Sequence, residues 1–418
     1  MVNDRSVRAV AASRFSSEFL KPLYSTYGFS QIPKTILSLF GLGSGGLPLD
    51  CVGKGPYDRV IFILIDGFGW KFLQQYQERY PFLNRFFKEG IVSKITSQFP
   101  STTAAHITTL ASDLPVGQHG IYEWFLYEPL VDRIVAPLLY AFAGDKDLGT
   151  LAPKLDPGHL LPPNLFFGAL QKHQIPSKIF QHQTIANSIY SRAMFRGSDR
   201  IGYKNFSEAL SLLKEHLKTP GFFYLYCGDF DTKAHRHGLG SRQIEKALDH
   251  YFHQLETSLM TDPVMAQKST ALIVAADHGM IDIHPSTTYY LNTKIPTLEK
   301  RLKRGADGHV LSPAGSCRDF FLHIEPRYVQ EVQEELEHKL KDVALVCRTS
   351  DLIDEGFFGP TGISDKCREK MADLVLLAKG TNSIWWHEKG RFEQKFYAMH
   401  GGLTPEELET IFLFYSPT

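Results

Sequence analysis

Three apolar runs in this chain each end at an acidic residue. Val60-Ile61-Phe62-Ile63-Leu64-Ile65 stops at Asp66-Gly67, and Phe222-Phe223-Tyr224-Leu225-Tyr226-Cys227 stops at Gly228-Asp229-Phe230-Asp231. Ala271-Leu272-Ile273-Val274-Ala275 leads through Ala276 to Asp277-His278-Gly279. Continuous apolar runs of this length belong to strands buried on both faces. Helical patterns lie between them, and that alternation predicts an α/β chain with a mostly parallel sheet covered by helices on both sides. Ligands of such sheets bind beyond the carboxyl ends of the strands. Asp66, Asp231 and Asp277 should therefore converge on one edge.

The remaining pattern fills in around these strands. A helix is expected from Trp70 to Lys88, then a strand from Ile91 to Ile95 leading into Phe99-Pro100-Ser101-Thr102-Thr103. A helix from there to about Leu110 places Thr103 near a helix N-terminus, with Thr102 beside it. Helices are also expected at Phe206–Leu217 and Arg242–Leu259. Prolines at 129, 137, 153, 157, 162 and 163 break up any regular pattern over 125–200, which reads as a long excursion covering one end of the sheet. From 285 to 385 the character changes. Strands at Asp319–Ile324, Val343–Arg348 and Asp373–Ala378 around a charged helix, Tyr328–Lys341, suggest an α+β cap or insertion. The expected organisation is an approach segment (1–57), a catalytic core (58–284 and 386–418) and the cap (285–385). Thr404 followed by Glu407 has the spacing of a capping box.

Composition narrows the function classes. At 418 residues the chain is long enough for a large core without staples. Lys plus Arg and Asp plus Glu both number 45, so a general polyanion binder, including a general nucleic-acid binder, is not expected. The five cysteines, Cys51, Cys227, Cys317, Cys347 and Cys367, are odd in number and form no CxxC pair, which argues against a disulfide framework or a cysteine-based metal site. With no signal-like or membrane-length apolar run, the expectation is a chain with no transmembrane segment, in the cytoplasm.

The predicted edge gathers three carboxylates (Asp66, Asp231, Asp277), three imidazoles (His235, His278, His400) and the hydroxyl of Thr103. Singly each has a plain explanation. Asp-Gly after a strand is usually a turn, Asp231 and His235 are an i, i+4 helix pair, and a threonine before a helix is a cap. Convergence on one edge is what those explanations do not supply. Carboxylate oxygen with imidazole nitrogen suits zinc, with manganese or iron as alternatives. Six such residues suffice for two divalent ions with open positions, the arrangement that clamps a phosphoryl group. A helix N-terminus beside it favours the anion. His106 and Trp124 are candidates for the substrate pocket, and Asp229 and His237 are candidates to orient the ligands from behind. His119 reads as a structural residue holding the loop after the Thr103 helix.

Six segments in order carry a resemblance to a known family: Ile65-Asp66-Gly67; Phe99-Pro100-Ser101-Thr102-Thr103; Gly117-Gln118-His119-Gly120-Ile121; Asp231-Thr232-Lys233-Ala234-His235-Arg236-His237-Gly238; Ala276-Asp277-His278-Gly279-Met280; and His400-Gly401-Gly402. Together they resemble the type I phosphodiesterase / nucleotide pyrophosphatase branch of the alkaline phosphatase superfamily. The resemblance implies an alkaline-phosphatase-like three-layer α/β/α sandwich. It implies one zinc on Asp231, His235 and His400, another on Asp66, Asp277 and His278, and Thr103 bridging them as the nucleophile that forms a phospho-threonine. The expected partner is a small phosphate ester. Two departures stand out. Ser112-Asp113 replaces a common Thr-Gly, and Trp124 falls where nucleotide pyrophosphatases carry an Asn that holds a phosphate oxygen. The implied activity is hydrolysis of phosphodiester or pyrophosphate bonds. The alternatives are a phosphomonoesterase or phosphonate hydrolase on the same scaffold, and a non-catalytic binding protein.

Overall fold

The structure is a computed structural model that describes residues 1–417. Its central sheet has seven strands: β1 (Arg59–Ile65), β2 (Ile91–Thr96), β3 (Ser177–His182), β4 (Asp199–Tyr203), β5 (Gly221–Cys227), β6 (Thr270–Ala275) and β7 (Glu409–Tyr415). Their order across the sheet is β2-β7-β6-β1-β5-β3-β4. β1 pairs in parallel with both β5 and β6, and β3 with β5 and β4, while β7 runs antiparallel to β6 and β2. Register is what makes the acidic residues converge. Ile65 lies opposite Cys227, and Leu64 opposite Ala275, so the three strands end level and release their next residues at one edge.

Side chains of β1 alternate between two cores, as the two-residue period of a strand requires. Val60, Phe62 and Leu64 join one face, packed with Ile32, Ile36, Ala104 and Phe167. Ile61, Ile63 and Ile65 join the other, packed with Phe72, Phe86, Leu210 and Leu248. The fold is thus the three-layer α/β/α sandwich, and residues before 57 are built into it: Val2 bridges to Val92, and Phe29, Ile32 and Ile36 are fully buried. A second sheet, antiparallel, is formed by Ala314–Gly315, Asp319–Leu322, Leu374–Ala378 and Ala344–Arg348 in that order. The helix Val329–Lys339 covers its outer face through Val332 and Leu336. Its inner face, with Phe321, Val375 and Leu377, is part of the first core of the main sheet. Among the described residues no helix is long and apolar enough to cross a membrane.

Several local expectations are corrected. The stretch from Trp70 to Lys88 is two helices, α1 (Trp70–Tyr76) and α2 (Pro81–Glu89), because Pro81 has no N–H to continue a helix and is well suited to begin one. The excursion does more than cover the sheet: it supplies β3 and β4. The strand β7, Glu409–Tyr415, was not foreseen, although Ile411-Phe412-Leu413-Phe414 is an apolar run. α3 (Thr103–Ser112) and α4 (Asp229–His237) carry site residues, and α5 (Arg242–Gln254) opens into a π-turn over Leu255–Leu259.

The Thr404/Glu407 pair is not a capping box. Thr404 Oγ1 donates to Glu407 Oε2 (2.7 Å), and it makes no cap to the helix backbone. The Glu407 carboxylate is instead claimed by fully buried Arg318 of the second sheet, whose Nε and Nη2 donate to its two oxygens at 2.9 and 3.0 Å. Glu407 Oε1 also accepts the Gly402 N–H at 3.0 Å. A bidentate charge-assisted pair outcompetes a neutral N–H cap. Removing one partner of a buried pair strands the other charge. Arg318→Leu is accordingly expected to lower stability by about 3–5 kcal/mol in guanidinium unfolding, and Arg318→Leu/Glu407→Leu to recover part of that loss.

Candidate active site

Asp66 leaves β1 into a tight turn at Gly67, whose φ is +74°. A Cβ there would meet the Met280 side chain at 3.0 Å, so the turn needs glycine for both conformation and space. The Gly67 N–H donates to Asp277 Oδ1 (3.1 Å), as does the His278 N–H (3.0 Å), which ties the ends of β1 and β6 together. Asp231 sits in the first turn of α4 and His235 one turn on, with His235 Nε2 3.2 Å from Asp231 Oδ1. His400 follows the short strand Ala398–Met399. Its loop is laced to the segment before α3: Ser101 N–H donates to Gly401 O (3.1 Å), Gly401 N–H to Ser101 Oγ (3.1 Å), and Ser101 Oγ to Gly402 O (2.8 Å).

These elements bring all seven sequence-selected residues into one cluster. Thr103 Oγ1 lies 3.3 and 3.4 Å from the two oxygens of Asp66 and 3.2 Å from His278 Nε2. Thr102 is the extended residue before α3, and Thr103 is the hydroxyl within reach of Asp66 and His278. Two groups of donor atoms lie within 4.8 Å of one another: Asp66, Asp277 and His278, and Asp231, His278 and His400. The first matches a set implied by the sequence. The second differs from the implied set, with His278 in the place of His235, although His235 Nε2 lies 3.2 Å and His400 Nε2 3.7 Å from Asp231 Oδ1. The His278 and His400 rings stack at 3.7 Å. His235, His278 and His400 each place Nδ1 against a backbone carbonyl, of Ala398 (2.7 Å), Gly279 (3.0 Å) and Ser101 (2.9 Å). Each Nδ1–H therefore donates, and each Nε2 is left with its lone pair toward the cluster.

Charge in this cluster is unbalanced. Burial, then the neighbouring Asp277 and Asp231, push the Asp66 carboxyl well above its ordinary range. Burial lifts Asp277 to about 7, against the two N–H groups that favour its charged form and together with Asp231. Burial also raises Asp231, but His235 and His400 outweigh it and bring the net shift down. Burial and adjacent imidazoles keep His278 and His400 far below the usual histidine range, so both are neutral. Asp231 Oδ1 and Asp277 Oδ2 are buried without a hydrogen-bond partner among the described residues. Buried, orphaned carboxylate oxygens beside imidazole lone pairs fit divalent cations, which would satisfy both.

The other candidates separate. Trp124 is half-buried and lines two clefts that meet at Thr103. His106 is corrected: it is fully buried and does not line either cleft. Its Nε2 accepts the Gln98 N–H (2.9 Å) and its Nδ1 donates to Thr102 O (2.7 Å), so it braces the Thr102–Thr103 junction from inside. Asp229 is corrected too, since backbone carbonyls orient the three histidines. Asp229 pairs with Lys233 at 2.7 Å on the exposed side of α4 and lines one cleft. His237 is exposed at the far end of α4 and orients no ligand. His119 holds the loop after α3, accepting the Ile121 N–H (3.0 Å) and lying 3.0 Å from Thr109 Oγ1. Sequence reasoning overlooked Tyr226, whose phenol donates to Asp66 Oδ2 at 2.5 Å. Its one signal was a hydroxyl near the end of an otherwise apolar strand.

The first cleft, about 510 Å³, mixes hydroxyl and amide side chains such as Gln181, Ser188 and Asn205 with apolar ones such as Ile107, Leu138 and Leu139. The second, about 490 Å³, is walled largely by aromatic rings, among them Phe125, Trp385, Phe392 and Phe396. Thr103, Trp124, Asp231 and Thr232 belong to both.

Fold and cluster together define a hydrolase of the alkaline phosphatase type. The sequence matches the family model for type I phosphodiesterase / nucleotide pyrophosphatase over residues 60–137 and 168–403, and the chain belongs to that family. Similar solved structures include murine ectonucleotide pyrophosphatase / phosphodiesterase 5 in an inactive form with AMP, at a TM-score of 0.63 and 16% identity, covering 86% of this chain and 88% of that one. The human counterpart is similar at a TM-score of 0.62 and 18% identity, with the same coverage of 86% and 88%. Phosphonoacetate hydrolase from Sinorhizobium meliloti, in complex with phosphonoacetate, is similar at 0.59 and 18%, covering 86% and 90%. No curated protein sequence matches significantly.

Burial lowers both His106 and His119 to about 3, against an ordinary 6.5. Both are neutral when folded and bind a proton on unfolding below 6.5, so their contribution is complete above pH 6.5 and is lost as pH falls toward 3. Denaturation midpoints should drop between pH 7 and pH 5, and His119→Gln should flatten that drop.

Proposed function

We propose that this enzyme hydrolyses phosphodiesters through Thr103 at a site for two divalent metal ions, with zinc the best match to the donor set. The observation that carries the reading is the pair of clefts meeting at Thr103. A diester places two organic groups on phosphorus, and each needs room on its own side of the reacting hydroxyl. A monoester needs only one.

On this reading Asp66, Asp277 and His278 hold one ion, and Asp231, His235 and His400 the other. When bound, the ions supply Lewis acidity at the phosphoryl oxygens and favour the ionised form of the hydroxyl. Thr103 gives up its proton, and its Oγ1 bonds to phosphorus as the opposite ester P–O bond breaks. The leaving alcohol takes a proton and departs, and the phosphoryl group remains on Thr103. Water then attacks that phosphorus, the threonine oxygen recovers a proton, and a phosphomonoester is released. N–H groups of the first turn of α3 are free of intrahelical partners and stabilise the equatorial oxygens. Asp66 and His278, at 3.2–3.4 Å, orient the hydroxyl for attack.

Trp124 gives one wall to both clefts and cannot donate an amide N–H in the manner of asparagine. That difference separates this site from a nucleotide-specific one. Phosphonate hydrolysis is the second reading, favoured by the likeness to a fold that binds phosphonoacetate.

Zinc-loaded protein should turn over bis-p-nitrophenyl phosphate with a kcat/KM at least about tenfold above that for p-nitrophenyl phosphate or phosphonoacetate. Thr103→Ala should reduce diester turnover by at least about 1,000-fold, as expected for loss of a nucleophile. Preference for phosphonoacetate would transfer the site to the second reading. Thr103-independent turnover would refute both.

A further inference from the structure

The candidate ligands are oriented in different ways. The three histidines lean on backbone carbonyls, and Asp277 Oδ1 accepts two backbone N–H groups. Backbone partners of this kind are set by the fold. Asp231 lies against His235 and His400. Asp66 alone is held by a side chain outside the cluster: the Tyr226 phenol, 2.5 Å from Oδ2.

The fold builds this contact deliberately well. Tyr226 lies opposite Leu64 in the β1–β5 register, one step before the strands end, so its ring reaches Asp66 from the neighbouring strand. The Tyr203 hydroxyl donates to the Tyr226 carbonyl at 2.6 Å and anchors its backbone. The phenol hydroxyl donates and the Asp66 carboxylate accepts. With Oδ2 engaged, Oδ1 lies 3.4 Å from His278 Nε2, while Thr103 Oγ1 lies 3.3 and 3.4 Å from Oδ1 and Oδ2.

We infer that Tyr226 is a positioning residue for the metal site that contains Asp66: its phenol holds Oδ2 and so presents Oδ1, on the His278 side, to the ion. This rests on the two-metal reading. Tyr226 also lines the first cleft, as Asp66 does. Outer hydrogen-bond partners of metal ligands fix the ligand geometry, and their loss typically costs about 10–100-fold in metal affinity or activity.

The test uses zinc-loaded wild type, Tyr226→Phe and Tyr224→Phe, with transfer of zinc to a chromogenic chelator as the readout. Tyr226→Phe keeps the ring and removes only the hydroxyl. Tyr224→Phe is the control, since it removes a buried hydroxyl from the same strand that has no partner among the described residues. Two zinc ions per chain are expected in all three proteins. In Tyr226→Phe one of them should pass to chelator about 10–100-fold more readily, and excess zinc should restore diester turnover. Tyr224→Phe should match wild type in both readouts. Circular dichroism and thermal unfolding of the loaded proteins check that the fold is kept. Wild-type zinc retention in Tyr226→Phe, or equal weakening in both variants, overturns the inference. A wild-type protein that retains no zinc overturns the two-metal reading, and this inference with it.

Discussion

Three carboxylates gathered at the edge of one sheet, Asp66 and Asp277 buried and Asp231 half-buried, are the constraint on which the rest of this structure turns. Burial and the neighbouring carboxylates raise the cost of ionising Asp66 and Asp277, while His235 and His400 favour the charged form of Asp231. Two of their oxygens have no hydrogen-bond partner among the described residues. A positive partner would offset the cost of such an arrangement, and the neutral imidazoles of His278 and His400 lie beside the same carboxylates, as the proposed metal site requires.

Holding that cluster is the work of backbone geometry more than of side-chain pairs. Level strand ends deliver Asp66 and Asp277, the Gly67 turn brings its N–H onto Asp277, and carbonyls set the tautomer of each histidine. His400 comes from far along the chain and needs a separate restraint. Ser101 laces its loop to the Thr103 helix on one side. On the other, Arg318 grips Glu407, which accepts the Gly402 N–H. The second sheet thus reaches the site through the Arg318–Glu407 ion pair and through Ser316, whose Oγ donates to His400 O at 3.1 Å, and its Gly315 also lines the aromatic cleft.

Much of this was legible in the residues. The apolar runs ending in Asp66, Asp231 and Asp277 announced strands and their common edge, because a doubly buried strand has no polar positions and its end is where polarity returns. What escaped notice had physical reasons. β3 lies in the proline-broken stretch, where Lys178 and Gln181 dilute its apolar pattern, and the edge strand β4, Asp199–Tyr203, is polar at Asp199 and Arg200. β7 sits directly behind a Pro-Glu-Glu helix start, and the four-residue helix it begins gives way at once to the strand. Tyr226 counted as one more ring in a buried strand, since its phenol acquires meaning only when Asp66 is placed beside it. His106 beside Thr103 suggested a pocket residue, but the first turn of α3 directs it inward to Gln98 and Thr102.

The sequence by itself determined the layered α/β class, the edge at which the chemistry gathers and the residue types that gather there. Periodicity and strand ends are local properties, readable wherever burial imposes them. Which histidine stands beside which carboxylate was decided by tertiary structure, as was the hydroxyl, of Thr102 and Thr103, that faces the cluster. The two clefts flanking Thr103 and the grip of Tyr226 on Asp66 were decided there as well. Those relations span up to about 300 residues of chain. They depend on strand register and loop lacing, which set distances to a fraction of an ångström and leave no periodic trace in the order of the residues.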